Sequence, residues 1–269
     1  MGYMCGRFAV TTDPALLAEK IKAIDEATAA ANEKSKDKSG DTSANSSANY
    51  NVAPTTTIST VVKRHTDPDD ESTRRIRLMR WGLIPPWAKT ADDGGPDTKG
   101  PLLINARSEK ITTSPAFRTS AKSKRCLVPM DGWYEWRPNG ESTAGKKAAK
   151  TPFYMYAGDG EPLFMAGLWT TWRPKDAPRD AAPLLSCTII TTDAAGPLAD
   201  IHDRMPLTIS EADWDRWLDP DSPVDEGLLR GHGDLDRIEI REVSRLVNSV
   251  RNNGPELIEP AEPEQPTLL

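Results

Sequence analysis

The chain has 269 residues, 37% of them hydrophobic and eight of them tryptophan, enough for one large core or two small ones. Its formal net charge of −6 argues against a surface that is basic throughout, as nucleic-acid binding normally needs, and Cys5, Cys126 and Cys187 form no CxxC pair, so no structural zinc site is suggested. The odd cysteine suits a reducing compartment, and neither a secretory apolar region nor a bilayer-spanning run is present, so a soluble cytoplasmic protein with no membrane attachment is expected.

Taken in chain order, Asp13-Pro14 ahead of ALLAEKIKAI supplies an N-cap, a first-turn proline and apolar residues at helical spacing, which predicts an amphipathic helix. The polar stretch at about 27–48 has few large apolar residues and reads as a flexible low-complexity insertion. TISTVVKR and RIRLMRWG, separated by HTDPDDESTR, read as a hairpin. RCLVPM, GWYEWR, PFYMYA, LFMAGLW and SCTIITT, rich in β-branched and aromatic residues, read as strands, with ADDGGPDTKG and RPNGESTAGKKAAK as exposed loops. In SEADWDRWL a capping Ser210 precedes Trp214, Trp217 and Leu218 at i, i+3 and i+4, the pattern of a short helix, and residues 259–269 read as a disordered tail. The fold class is α+β, a mainly antiparallel sheet or partly closed barrel with peripheral helices.

Four stretches set reactive polar side chains in apolar frames: MCGRF, LLINARSE, DGWYEWR and DIHDRMP. In an extended GWYEW, Trp133 and Glu135 share one face and Tyr134 and Trp136 the other, so Glu135 is either a desolvated proton donor among aromatics or a surface glutamate on an edge strand. Asn105 and Arg107 project together from INARSE, suited to orienting a polar ligand and holding a phosphate, or else to a loop contact and a structural ion pair. His202 and Arg204 stand in the same relation, and His202 alone of three histidines has an apolar frame, which is more often a structural than a catalytic setting. Residues 101–130 carry Arg107, Lys110, Arg118, Lys122, Lys124 and Arg125 against Glu109, a basic strip on an acidic protein.

In order, MCGRF, YNVAPT, RWGLIPPWAK, INARSE, RCLVPMDGWYEW, IHDRMP and VSRLVNSVRNNG resemble the SRAP family, SOS-response-associated proteins that capture abasic sites in single-stranded DNA. The resemblance implies one domain over 4–258. It also implies that Cys5 follows a removable methionine, so that MGY is an upstream extension and the working chain begins at Cys5, whether by another start or by self-cleavage after Met4. Catalytic roles fall on Cys5, Asn105, Glu135 and His202: His202 assists opening of the sugar, Glu135 shuttles protons and Asn105 orients sugar and cysteine. Arg107 and Arg204 match positions that hold phosphates, with Arg7 adding to them. Pro54 and Trp87 match apolar wedges that stack on bases, the alternative for Trp87 being core packing, and Asn51 lines the same pocket. The expected partner is single-stranded DNA containing abasic sites, bound by a monomer without metal or cofactor. Rival readings are a cysteine peptidase with Cys5 as N-terminal nucleophile and His202 as base, and a noncatalytic single-strand binding module in which Cys5 is inert. Weak strand scission through the same imine lies between them.

Overall fold

The computed structural model describes residues 6–28, 48–67, 69–140, 148–178, 180–231 and 233–262. Cys5, most of the expected insertion and residues 263–269 of the expected tail lie outside the described residues.

The hairpin read from sequence is present as β4 (Thr57–Arg64) and β5 (Thr73–Trp81), following β1 (Phe8–Val10), β2 (Ile24–Asp25) and β3 (Asn49–Val52). After β6 (Asn105–Arg107) come the five apolar segments, as β7 (Arg125–Met130), β8 (Gly132–Pro138), β9 (Lys150–Ala157), β10 (Leu163–Trp172) and β11 (Leu184–Asp193), and then β12 (Arg204–Pro206) and β13 (Ile238–Glu242).

Five of these strands close into a barrel. β4 pairs with β5 and β7, β7 with β10, and β10 with β11, all antiparallel, and a parallel pairing of β11 with β5, Cys187 opposite Trp81, joins the two ends. Closure removes the sheet edges that would otherwise need covering. Strand alternation sends Val62, Met79, Val128, Met165 and Ile189 to the interior core. Val61, Ile76, Leu127, Ala166 and Ile190 form the outer core, where they meet the helices. Among those helices are α1 (Pro14–Lys20), α2 (Arg118–Ser123), α3 (Trp214–Leu218) and α4 (Glu226–Arg230). The expected α+β class is therefore present, with its barrel closed.

Local sequence explains where the helices stop and start. α1 begins where Asp13 Oδ1 accepts the Ala15 N–H at 2.8 Å and ends before Lys22, whose φ of 52° is left-handed. Ser210 does not cap as expected: a 3-10 turn at Glu211–Asp213 delays α3 to Trp214, and the Ser210 hydroxyl donates to Asp213 Oδ2 at 3.0 Å instead. Arg125 also departs from the basic strip. It is buried, and its guanidinium donates to the carbonyls of Trp217, Ala121, Lys122, Asp219 and Ser222, tying the C-terminal ends of α2 and α3 to the barrel.

A second sheet, in the order β13-β9-β8-β1-β3, lies on the interior-core side of the barrel, with Phe8, Val52, Trp133 and Met155 in that core. Its tightest point is Gly132, where any side chain would collide with the Met155 carbonyl and the Tyr154 ring. Glycine here lets β8 lie close against β9 and so sets the register of the GWYEW segment. Beyond β13 the chain stays paired, with Ala261 N–H donating to Glu242 O at 2.9 Å, so the first residues of the expected tail follow the sheet edge.

Candidate functional site

β11 positions two of the four polar motifs. Its last five residues pair with β6 on one side, Ile189 opposite Asn105 and Thr191 opposite Arg107, and with β12 on the other, Asp193 opposite Arg204. Asn105 and Arg107 therefore project together, as the alternation required, with Ala106 buried between them in the outer core, whereas Ile104, expected on the same face as Ala106, lies just before β6 and packs in the interior core. Arg107 is exposed and Asn105 half-buried.

The third motif approaches from the second sheet. β8 runs between β1 and β9, so Glu135 is on a central strand and is 3% exposed, which excludes the edge-strand reading. Trp133 packs in the interior core with Ile104, Ile201 and Met205, the neighbours of Asn105, His202 and Arg204. Tyr134 and Trp136 belong to a separate core on the opposite face. Glu135, two residues after Trp133 on the same face, is thus directed into the seam between sheet and barrel where the other motifs end.

His202 is half-buried. Its Nδ1 lies 3.1 Å from the Arg204 backbone nitrogen and 2.8 Å from an Asp203 carboxylate oxygen, which leaves Nε2 as the ring nitrogen able to reach a ligand. Arg204 is 6% exposed and ion-paired with Asp193 and with Glu109, the latter at 2.9 Å, while donating to Thr191 O at 2.7 Å. Arg204 pulls the Glu109 carboxyl below its ordinary range, against the effect of burial. Its two partners bind β12 to β11 and to the residues after β6, so Arg204 fixes the spacing of His202 and Arg107.

Arg7 and Asn51 meet around the C-terminal motif. Arg7 Nη1 donates to Asn51 Oδ1 at 2.8 Å and to Val247 O at 2.9 Å. The buried Asn51 amide donates to Ser249 O and Asn252 O at 2.9 and 3.0 Å, and Trp136 Nε1 donates to Asn248 Oδ1 at 2.8 Å. VSRLVNSVRNN is thereby pinned to the strand that follows Cys5, and this is where the structure places Asn51, whose sequence reading was pocket lining.

The two expected wedges differ in burial. Pro54 is half-buried at the second position of a turn in which Thr56 N–H donates to Ala53 O at 3.3 Å, and Thr55 at the third position has φ 75°. A β-branched residue is seldom found in that conformation, so the turn holds a strained residue beside Pro54. Trp87 is 59% exposed, which removes the core-packing reading. Sequence reasoning did not single out Glu109 and Asp193 as the partners of Arg204, or the Trp133 indole N–H, a buried donor with no acceptor among the described residues on the face it shares with Glu135. Only the aromatic frame of GWYEW hinted at the last.

The family model for SOS response associated peptidase (SRAP) matches residues 4–250. Abasic site processing protein YoqW of Bacillus subtilis (strain 168) is 39% identical over 214 residues, covering 78% of this chain and 85% of the relative. Abasic site processing protein YedK of Escherichia coli (strain K12) is 33% identical over 218 residues, covering 78% and 84%. A crystal structure of a protein from Bacteroides thetaiotaomicron superposes with a TM-score of 0.72 at 23% identity, covering 96% of this chain and all of that one, a likeness of fold. By its sequence and by the length of the match, the chain belongs to the SOS response associated peptidase family.

Proposed function

We propose that this protein processes abasic sites in the DNA damage response, capturing them covalently on Cys5 in single-stranded DNA. The observation that carries the proposal is kinship: relatives bearing the name abasic site processing protein align over 78% of the chain. The fold is in keeping with it: Glu135 is buried on the same strand face as Trp133, and β11 holds β6, with Asn105 and the exposed Arg107, on one side and β12, which begins two residues after His202, on the other.

An abasic deoxyribose is chiefly a closed hemiacetal. Its aldehyde forms when the C1′ hydroxyl loses a proton and the ring oxygen gains one, and His202 serves that exchange. The free α-amine of Cys5, with an ordinary pKa of roughly 7.7–8.0, is substantially unprotonated near neutral pH and attacks the aldehyde carbon. Water leaves to give an imine, with Glu135 carrying protons and Asn105 holding the sugar. The Cys5 sulfur then adds to the imine carbon and its proton passes to nitrogen, closing a thiazolidine. Both nucleophiles sit on one residue, so the second attack is intramolecular, an advantage worth several kcal/mol. Arg107, exposed on β6, serves the phosphates beside the lesion, Arg204 and Arg7 support the surrounding backbone through their internal contacts, and Pro54 and Trp87 contact neighbouring bases.

The test is a denaturing gel of protein incubated with an oligonucleotide carrying one abasic site. A heat-stable adduct absent from Cys5→Ala and formed at least 100-fold more slowly by Glu135→Gln is expected. An adduct that persists in Cys5→Ala overturns the assignment. The family name, SOS response associated peptidase, favours one further activity, peptide-bond cleavage by the same cysteine; removal of residues 1–4 by the isolated chain, lost in Cys5→Ala, is its signature.

A further inference from the structure

At the end of the barrel away from Asn105 and His202, cations collect without matching anions. Arg64 is the last residue of β4, Arg75 and Arg77 lie near the start of β5, and Lys124 immediately precedes β7. The Arg64 guanidinium and the Lys124 ammonium lie 5.1 and 5.2 Å from the ring centre of Trp169, near the end of β10. Trp169 is buried, so it is a fixed platform holding two like charges close together. Glu26 is the carboxylate of this cluster and is held by both Arg75 and Arg77. Of the acids that meet the same strands, Asp215 is held by Lys63 and Arg74 and Asp221 by His65. Arg64 and Lys124 have no carboxylate partner among the described residues.

Burial, and after it the neighbouring positive charges, disfavour the charged forms of these groups. Burial, then Arg77 and Arg75, lower the Arg64 pKa, and burial, then Arg64, lower that of Lys124. Beside them, between β5 and the start of β11, lies a cleft of about 270 Å³ lined by Arg77, Arg80, Glu26, Thr57 and Leu184–Leu185. A fold that holds four cations against one carboxylate favours an anion there, and guanidinium forks match phosphate oxygens.

We propose that this barrel end is a second binding site whose ligand is a phosphate group. The phosphate can come from the backbone of a DNA strand that passes the capture seam, an alternative that rests on the function proposed above, or from a free phosphate or nucleotide. The eight residues of β4 span roughly 26 Å at about 3.3 Å per residue, so a strand reaching both ends needs on the order of eight nucleotides.

The test compares the full-length chain with Arg64→Glu/Lys124→Glu, and with Arg64→Gln in case the double variant does not fold, using undamaged 6-mer and 20-mer single strands and, separately, inorganic phosphate. If the backbone is the ligand, the 20-mer binds about tenfold more weakly to the variant with a salt slope shallower by about 1.4, while the 6-mer and the capture of a short abasic oligonucleotide are unchanged. If free phosphate is the ligand, calorimetry finds saturable phosphate binding that the variant loses. Unchanged 20-mer affinity together with no phosphate binding by the wild-type chain overturns the proposal. Absence of capture by the wild-type chain, with 20-mer binding still dependent on Arg64, would instead count against the Cys5 chemistry alone, and loss of capture of the short oligonucleotide in the variant alone would overturn the separateness of the second site.

Discussion

Trp87 has no packing reason for its position: its ring is largely in solvent at the end of RWGLIPPW, while the neighbouring backbone is fixed by Trp172 Nε1 donating to Ala88 O at 2.8 Å. A large aromatic held on a rigid turn in water suits stacking on a base. Trp87→Ala is therefore expected to leave the melting temperature within about 2 °C of wild type and to weaken single-strand binding by about 1–3 kcal/mol, read by fluorescence anisotropy. The thiols divide just as sharply. Burial pushes Cys187 up to about 12 and Cys126 well above the ordinary thiol range, so both stay protonated at neutral pH, and the thiolate is the reactive form. Titration of the native protein with a disulfide reagent should count one fast thiol, and none in Cys5→Ala; two or more fast thiols in the native chain would contradict the buried packing.

At the scale of elements, the strands that carry the site were legible because alternation is local. Trp133 and Glu135 on one face, and Ala106 buried between Asn105 and Arg107, follow from period-two geometry alone, but Ile104, just outside β6, packs in the interior core and not beside Ala106. Partners far apart in the chain were not legible. Arg204 meets Asp193 and Glu109 across 11 and 95 residues, and Arg125 meets the end of α3 across 92, so neither arginine betrays in its own motif that it is buried. Arg125 makes a testable case: Arg125→Leu leaves the carbonyls of Trp217, Asp219 and Ser222 without their charged donor. Urea unfolding should show a loss of about 3 kcal/mol or more, with capture of abasic DNA retained in the fraction that stays folded. A loss under about 1 kcal/mol would mean that water replaces the guanidinium at little cost.

For the whole molecule, antiparallel strands and peripheral helices were readable from composition and turn signals, but closure was not. It depends on one parallel pairing between β5 and β11, strands more than a hundred residues apart with no local mark of their contact. That closure gives the barrel two ends. One carries β6, β12 and the seam facing Glu135; the other gathers Arg64, Arg75, Arg77 and Lys124. Among the described residues, no helix is long and apolar enough to cross a membrane. The proposed capture turns on Cys5, the cysteine of MCGRF. The measurement that tests it most directly is the intact mass of the purified protein before and after incubation with an oligonucleotide bearing one abasic site. A chain that starts at Cys5 and gains the oligonucleotide mass less one water is the expected result. A chain that starts at Cys5 and gains nothing, or gains mass equally when Cys5 is alanine, would contradict it.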